Sequence, residues 1–551
     1  MHSIEVVLAM LLAVIGSGYL VRVLPFSLPL PLVQIGLGAA IAGMSGSAVT
    51  LDPAIFFLLF LPPLLFLDGW RIPKEGLFRD RAMILELALG LVVFTVVGVG
   101  LLIHWLIPAM PLAVAFALAA IVSPTDPVAV SSIAARVPIP KRLMHILEGE
   151  SLLNDASGLV CFRFAVAAAM TGGFSLATAS LTFLWVALAG LAVGVGFTWG
   201  VSLAQRWLSR QFGEESGSPI LISLLIPFGA YLIAEHLQAS GILAAVSAGI
   251  TMSYVELSGR ALATTRVQRA AVWDTVQFSL NGIVFVLLGE QLPAILSSAA
   301  TTVRESGHLN PGWLVVYALA INLGLALLRF VWVWVSLRWG MWTAQRRGEP
   351  VKRPHWRLVA ATSLAGVRGA ITLAGVLTLP LALPDGTPFP ARDLAVFLAM
   401  AVILLSLLAA SIALPRLLKG LEVPPEPAER HEEDLARLEA GRAAIAAIQE
   451  AQHALSEQAG TDAELYVSAA TRAMETYQRR LDGSAGGVEA EKLRRADTAE
   501  RALRLAGLRA EREALFSLAR HRRISDETSR RLVRELDLME SRLVEPASRK
   551  G

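Results

Sequence analysis

About thirteen apolar stretches, each near the roughly 20 residues a helix needs to cross a hydrocarbon core, follow one another through the first 420 residues of this 551-residue chain. Within a bilayer the backbone of each stretch has to satisfy its own hydrogen bonds, so the stretches are expected to be helices. Hydrophobic side chains make up 55% of the sequence and charged ones 17%, which excludes an ordinary soluble enzyme. From about Glu422 the composition turns to Ala, Glu, Arg and Leu with few aromatics. The chain therefore reads as an all-α polytopic membrane domain over residues 1–420 followed by a cytosolic α-helical domain over 421–551, with the boundary near Pro424 and Pro425. Cys161 is the sole cysteine, which excludes a disulfide framework and a thiolate metal site. The first apolar run follows His2 and Glu5 rather than a basic region, and is read as a retained span.

Basic residues gather in alternate loops. Arg71, Lys74, Arg79 and Arg81 follow the third span, Arg136, Lys141 and Arg142 the fifth, Arg206 and Arg210 the seventh, Arg260, Arg266 and Arg269 the ninth, and Arg338, Arg346, Arg347, Lys352, Arg353 and Arg357 the eleventh. Positive loops stay on the cytoplasmic side, so the amino terminus is expected outside and the tail inside.

Ionisable groups inside a bilayer are costly and need a reason. At a rise of 1.5 Å per residue, Asp155 in the sixth span (142–169) lies about 20 Å from its cytoplasmic start, near the midplane. Asp126 in the fifth span (111–134), Arg329 in the eleventh and Arg368 in the twelfth (356–382) fall at similar depth, which suggests one site. Pro124 and Pro127 interrupt the fifth span around Thr125 and Asp126, and Gly366 and Gly369 bracket Arg368 in the twelfth. If the seventh span is a connector, spans one to six and eight to thirteen form two inverted six-helix repeats, and the interrupted span is fifth in each. Paired interrupted helices of this kind mark a transporter's midplane ion site.

In the sixth span Glu150 and Asn154 share one helical face, and Ser151 and Asp155 share the next. Carboxylate, hydroxyl and amide oxygens suit a hard cation such as sodium. Asp155 can hold either a proton or a cation, and competition for one carboxylate is enough to couple their exchange. Glu150 calls for a cationic partner, with Arg329 favoured over Arg368, leaving Arg368 to offset carbonyl dipoles where the interrupted helices cross. Arg163, two turns beyond Asp155, is the alternative partner that would make Asp155 a buried structural pair. Asp68 and Arg71 could gate a cytoplasmic funnel but read rather as an interfacial pair whose heads reach water, and Trp332, Trp334, Trp339 and Trp342 as an aromatic belt. Glu290 reads as lying towards a span end.

The stretches LFLPPLLFLDGWRI, SPTDPVAV, GESLLNDASGLVCFRFAV, SLNGIVFVLLGEQL and GVRGAITLAG, in that order over roughly residues 1–420, make the chain resemble the monovalent cation:proton antiporters, in the branch of the bacterial and animal sodium/proton exchangers. The resemblance implies that Asn154 and Asp155 carry the transported ion or proton, that Thr125 and Asp126 line the same site, and that Glu150 and Ser151 precede it. It also implies that Arg368 and Arg329 are the family's arginines, with sodium held at Asp155, Asp126, Thr125 and Ser151. It further implies homodimers, a core domain moving against a dimerisation domain, and electroneutral one-for-one exchange. A site with one exchanging carboxylate beside neutral Asn154 points the same way on charge, although Asp126 could also titrate.

The expected activity is therefore secondary antiport of cytoplasmic Na+, or Li+ or K+, against external H+ across a bacterial inner membrane. The transported ions are the substrates, with no cofactor, no catalytic residue and no nucleic-acid partner expected. A K+/H+ antiporter is the rival within transport, and a cation channel or a sensor signalling through the tail is the rival from another class.

Overall fold

In a computed structural model the described residues are 2–23, 28–45, 53–72, 74, 80–126, 130, 141–171, 176–213, 217–257, 263–305, 312–346, 356–419, 427–459, 463–484, 488–521 and 523–543. They are helical nearly throughout, with one isolated β-bridge, Ala382 to Pro388. The chain divides into two units, residues 1–421 and 422–550.

The first unit runs through α1 (His2–Val23), α2 (Leu30–Ser45), α3 (Pro53–Arg71), α4 (Arg81–Leu106), α5 (Leu112–Val122), α6 (Lys141–Thr171) and α7 (Leu176–Phe212). It continues with α8 (Ser218–His236), α9 (Gly241–Leu257), α10 (Ala263–Glu305), α11 (Trp313–Arg346), the half-helices α12a (Trp356–Leu364) and α12b (Ala370–Leu377), and α13 (Arg392–Leu418). Among the described residues, seven helices are long and apolar enough to cross a membrane, and four shorter apolar helices accompany them. The difference from the thirteen-span expectation has a local cause at α5 and α12. Pro124 ends one helix and Gly366 to Gly369 part the two halves of the other, so neither span is a single long rod.

Small residues set the closest crossings. A side chain at Gly38 of α2 would collide with the Val286 carbonyl of α10, and one at Gly289 of α10 with the Ile35 carbonyl of α2. The same reciprocal contact joins α3 and α9, where Gly69 meets the Val246 carbonyl and Gly249 meets the Phe66 carbonyl. Lipid offers apolar side chains the same company as another helix does, so packing of this closeness is what holds such crossings together. Between them, α5, α12b and α13 meet in a core of Leu118, Ile121, Val122, Val367, Leu373, Val376, Leu398 and Ile403.

α4 carries a π-helical turn, Glu86–Leu91, beside the start of the site helix: Gly149 of α6 lies directly against Ile84. Two polar sequence readings are corrected here. Trp332 packs against Gly90 and Phe94 of α4 rather than standing in a belt, while Trp334, Trp339 and Trp342 are exposed. Glu290 is buried, because its helix is pressed onto α2 at that level.

The second unit is helical: α14 (Pro427–Ala459), α15 (Ala463–Ser484), α16 (Val488–Arg520) and α17 (Asp526–Leu543). Gly441 of α14 lies against Leu481 of α15. Arg512 of α16 bonds Asp537 of α17 at 2.9 Å and also Glu540, whose carboxylate holds the guanidinium above its ordinary pKa.

Candidate ion site

The site forms where two helices fail. α5 stops at Val122, and Ser123 to Asp126 continue without helical hydrogen bonds, because the Pro124 ring removes a donor and crowds the preceding turn. Pro127 lies outside the described residues. α12a stops at Leu364, and the chain is non-helical from Gly366 to Gly369 before α12b begins. The two gaps cross and bond to each other: the Asp126 N–H donates to the Val367 carbonyl at 2.7 Å. Gly369 is needed at this crossing, since a Cβ there would run into the Asp126 carboxylate. α6 presses on the first gap through Gly158, which lies against the Pro124 ring.

The C-terminal ends of helices leave carbonyls without partners and carry partial negative charge. Arg368 answers both ends: its Nε donates to the Val122 carbonyl at 2.9 Å and its Nη1 to the Gly366 carbonyl. Its own N–H is received by Ser406 Oγ of α13 at 3.2 Å. Buried among these acceptors, the guanidinium fastens the two gaps together.

Arg329 of α11 does different work. Its two terminal nitrogens donate to the two Glu150 oxygens at 2.5 and 2.6 Å, in the planar fork that a guanidinium offers a carboxylate. Its Nε donates at 3.2 Å to the Thr362 carbonyl, in the last turn of α12a. Glu150 and Arg329 are 1% and 3% exposed, so this is a desolvated ion pair. Glu150 also accepts a hydrogen bond from Thr125 Oγ1 at 3.4 Å, and that hydroxyl in turn receives the Asn154 amide at 3.0 Å. Glu150, Thr125 and Asn154 thus tie α6 to the gap of α5. The Asn154 Oδ1 is buried and has no hydrogen-bond partner among the described residues.

Asp155 and Ser151 turn to the other side, into a cavity of about 40 Å³. Thr125, Asp126, Gly369 and Thr372 line it from the interrupted helices, Asp68 from α3, and Gln277 and Asn281 from α10. About 10–15 Å³ of such space is enough to hold a water, so the cavity has room for a water molecule or a small dehydrated cation. Its oxygen-rich wall is the chemistry of a hard cation site. Of the residues singled out in the sequence, Thr125, Asp126, Ser151 and Asp155 face the cavity, while Glu150, Asn154 and Arg329 form the network behind it and Arg368 braces the crossing.

Three polar lining residues, Gln277, Asn281 and Thr372, escape the sequence reading, which sets a fourth, Asp68, at the interface instead. The interfacial reading of Asp68 with Arg71 is corrected, because Asp68 points into the cavity and Arg71 instead bonds Asp274 and Gln277 of α10. A signal was present in the apolar α3, where Pro62 and Pro63 precede the single carboxylate by less than two turns. Gln277 and Asn281, spaced i, i+4, put two amides on one face of a long apolar helix. Arg163 is half-exposed and bonds Glu235 of α8 at 3.3 Å rather than Asp155.

Interrupted helices crossing inside an apolar helical bundle, with buried carboxylates around an ion-sized cavity, define a membrane ion transporter rather than an enzyme. A family model, "Sodium/hydrogen exchanger, transmembrane", matches residues 7–420, and the chain belongs to that family. It is 43% identical over 545 residues, 98% of each chain, to the uncharacterized Na+/H+ exchanger YjcE of Escherichia coli K12. It is 44% identical over 413 residues, 74% of this chain and 60% of the other, to the sodium, potassium, lithium and rubidium/H+ antiporter of Bacillus subtilis. Among solved structures, the sodium proton antiporter MjNhaP1 of Methanocaldococcus jannaschii at pH 8 shares the fold, with a TM-score of 0.54 at 16% identity over 76% of this chain and 99% of that one. The chain is a Na+/H+ exchanger whose substrates are the transported ions.

Proposed function

We propose that Asp155 is the carboxylate for which the cation and the proton compete, and that Asp126, Thr125 and Ser151 complete the cation's oxygen shell. The observation that carries this reading is the ion-sized cavity into which all four residues turn. A cation in it excludes the proton from Asp155, and protonation of Asp155 excludes the cation. With Glu150 held by Arg329, Asp155 alternates between two singly charged loads, so exchange is one-for-one and electroneutral. Cytoplasmic Na+ leaves against external H+, across a bacterial cell membrane, with the amino terminus outside and the carboxyl-terminal domain inside. The basic residues of alternate loops support that orientation.

Alternating access would come from two inverted six-helix halves, α1 to α6 and α8 to α13, assembled as residues 1–420 of a homodimer, with residues 421–551 as a separate cytosolic domain. The packing supports the inversion: exchanging each helix for the one seven later turns the α2–α10 crossing into the α9–α3 crossing, and these have the same reciprocal glycine contacts. K+ is the second reading, favoured by the cation range in the name of the Bacillus subtilis relative and by an oxygen wall that suits either ion.

Flux in proteoliposomes with an imposed pH gradient tests this, adding Na+, Li+ or K+ in turn. The wild type is expected to dissipate the gradient on cation addition and Asp155→Asn to lose at least about 100-fold of that rate. Undiminished flux in the variant would move the carrier role to another carboxylate.

A further inference from the structure

Arg71 is the last residue of α3, and its two terminal nitrogens divide between neighbours on α10. One donates to Gln277 Oε1 at 2.8 Å, and the other forms an ion pair with Asp274. Gln277 is also part of the cavity wall that holds Asp155, Asp126 and Asp68. A cationic side chain is therefore one hydrogen bond away from a cavity built for cations. Arg71 and Asp274 are 41% and 66% exposed, so they stand at the edge of the helix bundle while Gln277 reaches inward. Two further cations among the described residues have partners of their own. Lys74 lies over the Tyr254 ring, and Arg269 bonds Glu256, which also receives the Trp70 indole.

An exposed ion pair of this kind adds little to stability. Its electrostatic effect on the cavity is another matter. Unopposed, Arg71 would place a full positive charge beside the approach to three carboxylates and repel the arriving ion. Paired with Asp274, it contributes a dipole instead, and the cavity's negative potential is left to draw the cation in.

Resting on the reading of this cavity as the transport site, we propose that Arg71, Asp274 and Gln277 form an electrostatic mouth for it. Asp274 acts as a positioning residue for charge: by neutralising Arg71 it sets the apparent cation affinity without touching the bound ion. Gln277 holds the guanidinium in register with the cavity wall.

Cation-dependent proton flux of the full chain in proteoliposomes tests this, recorded over a range of Na+ concentrations so that KM and kcat separate. Asp274→Asn is expected to raise the apparent KM for Na+ by about three- to tenfold with kcat within about twofold, because a unit charge is uncovered at short range in a medium between protein and water. Arg71→Gln is expected to lower KM, and the double variant to return close to the wild type. Raising impermeant choline chloride to about 0.5 M should shrink the difference between Asp274→Asn and the wild type, since Coulomb effects at exposed groups are screened. Equal KM in all four proteins, or KM shifts of the same sign in both single variants, would overturn the mouth. A merely structural role for the pair would lower kcat in both and ignore added salt, which also overturns it. Absence of Na+-dependent flux in the wild type would instead remove the transport reading on which the proposal stands.

Discussion

Glu150 shows how a buried charge is made tolerable and how much stability depends on its partners. Both its oxygens are occupied by Arg329, and Thr125 adds a further donor, so the carboxylate stays put while Asp155 is left facing the cavity. Removing one partner of a buried pair exposes the other to an apolar surround, at a cost of about 3–5 kcal/mol. Glu150→Gln or Arg329→Gln should therefore lower the thermal midpoint of the purified protein markedly in a melting assay. Arg329→Lys should recover only part of the loss, because an ammonium cannot fork onto both oxygens. Gly369→Ala is a sharper probe of geometry, since the added methyl would occupy the place of the Asp126 carboxylate. It should reduce Na+-dependent flux by at least about tenfold, and unimpaired flux would mean that Asp126 need not sit where it does. Thr125, Asp126, Ser151 and Asp155 were legible in the sequence because each stands out chemically within a span. Asp68, Gln277 and Asn281 were not, because their approach to Asp155 depends on how α3 and α10 pack.

The interrupted helices were legible at the level of elements, for a reason that holds on any backbone. Pro124 cannot donate to the preceding turn, and glycines at 366 and 369 leave room that other residues would fill. What periodicity could not show is that the two gaps bond directly, Asp126 to Val367, or that Arg368 collects carbonyls from both. Nor could it show the π-turn in α4, which lies where α4 meets the start of α6. Farther along α6, Arg163 links this site helix to α8 through Glu235. Both side chains are partly exposed, so the pair contributes no more than about 1 kcal/mol to stability. If α6 moves during alternating access, that bond has to break in each cycle. Arg163→Gln is then expected to leave the melting temperature nearly unchanged and to alter the maximal exchange rate several-fold. The swap Arg163→Glu with Glu235→Arg should restore the rate; no change of rate in either protein would show that α6 and α8 keep their distance during transport.

At the scale of the molecule, the alternation of basic loops suggested an orientation and the compositional break near Pro424 a boundary; the described contacts fall into two units, residues 1–421 and 422–550. Long-range pairing was beyond sequence patterning, because α2 meets α10 and α3 meets α9 through glycines whose partners lie some 200 residues away. One exchanging carboxylate with two singly charged loads predicts that turnover ignores the membrane potential. Imposing a K+/valinomycin potential of either sign should leave the initial Na+-driven proton flux within about 20% of its value at zero potential, whereas charge-moving exchange would accelerate with one sign and slow with the other. The proposed competition predicts that the apparent Na+ affinity falls as pH is lowered, since protons would then occupy Asp155. The most direct test is to count protons released when Na+ binds to the purified protein in weakly buffered solution. Competition for Asp155 predicts up to one proton released per Na+ bound, with both binding and release lost in Asp155→Asn. Saturable Na+ binding without proton release, across the pH range where exchange operates, would contradict it.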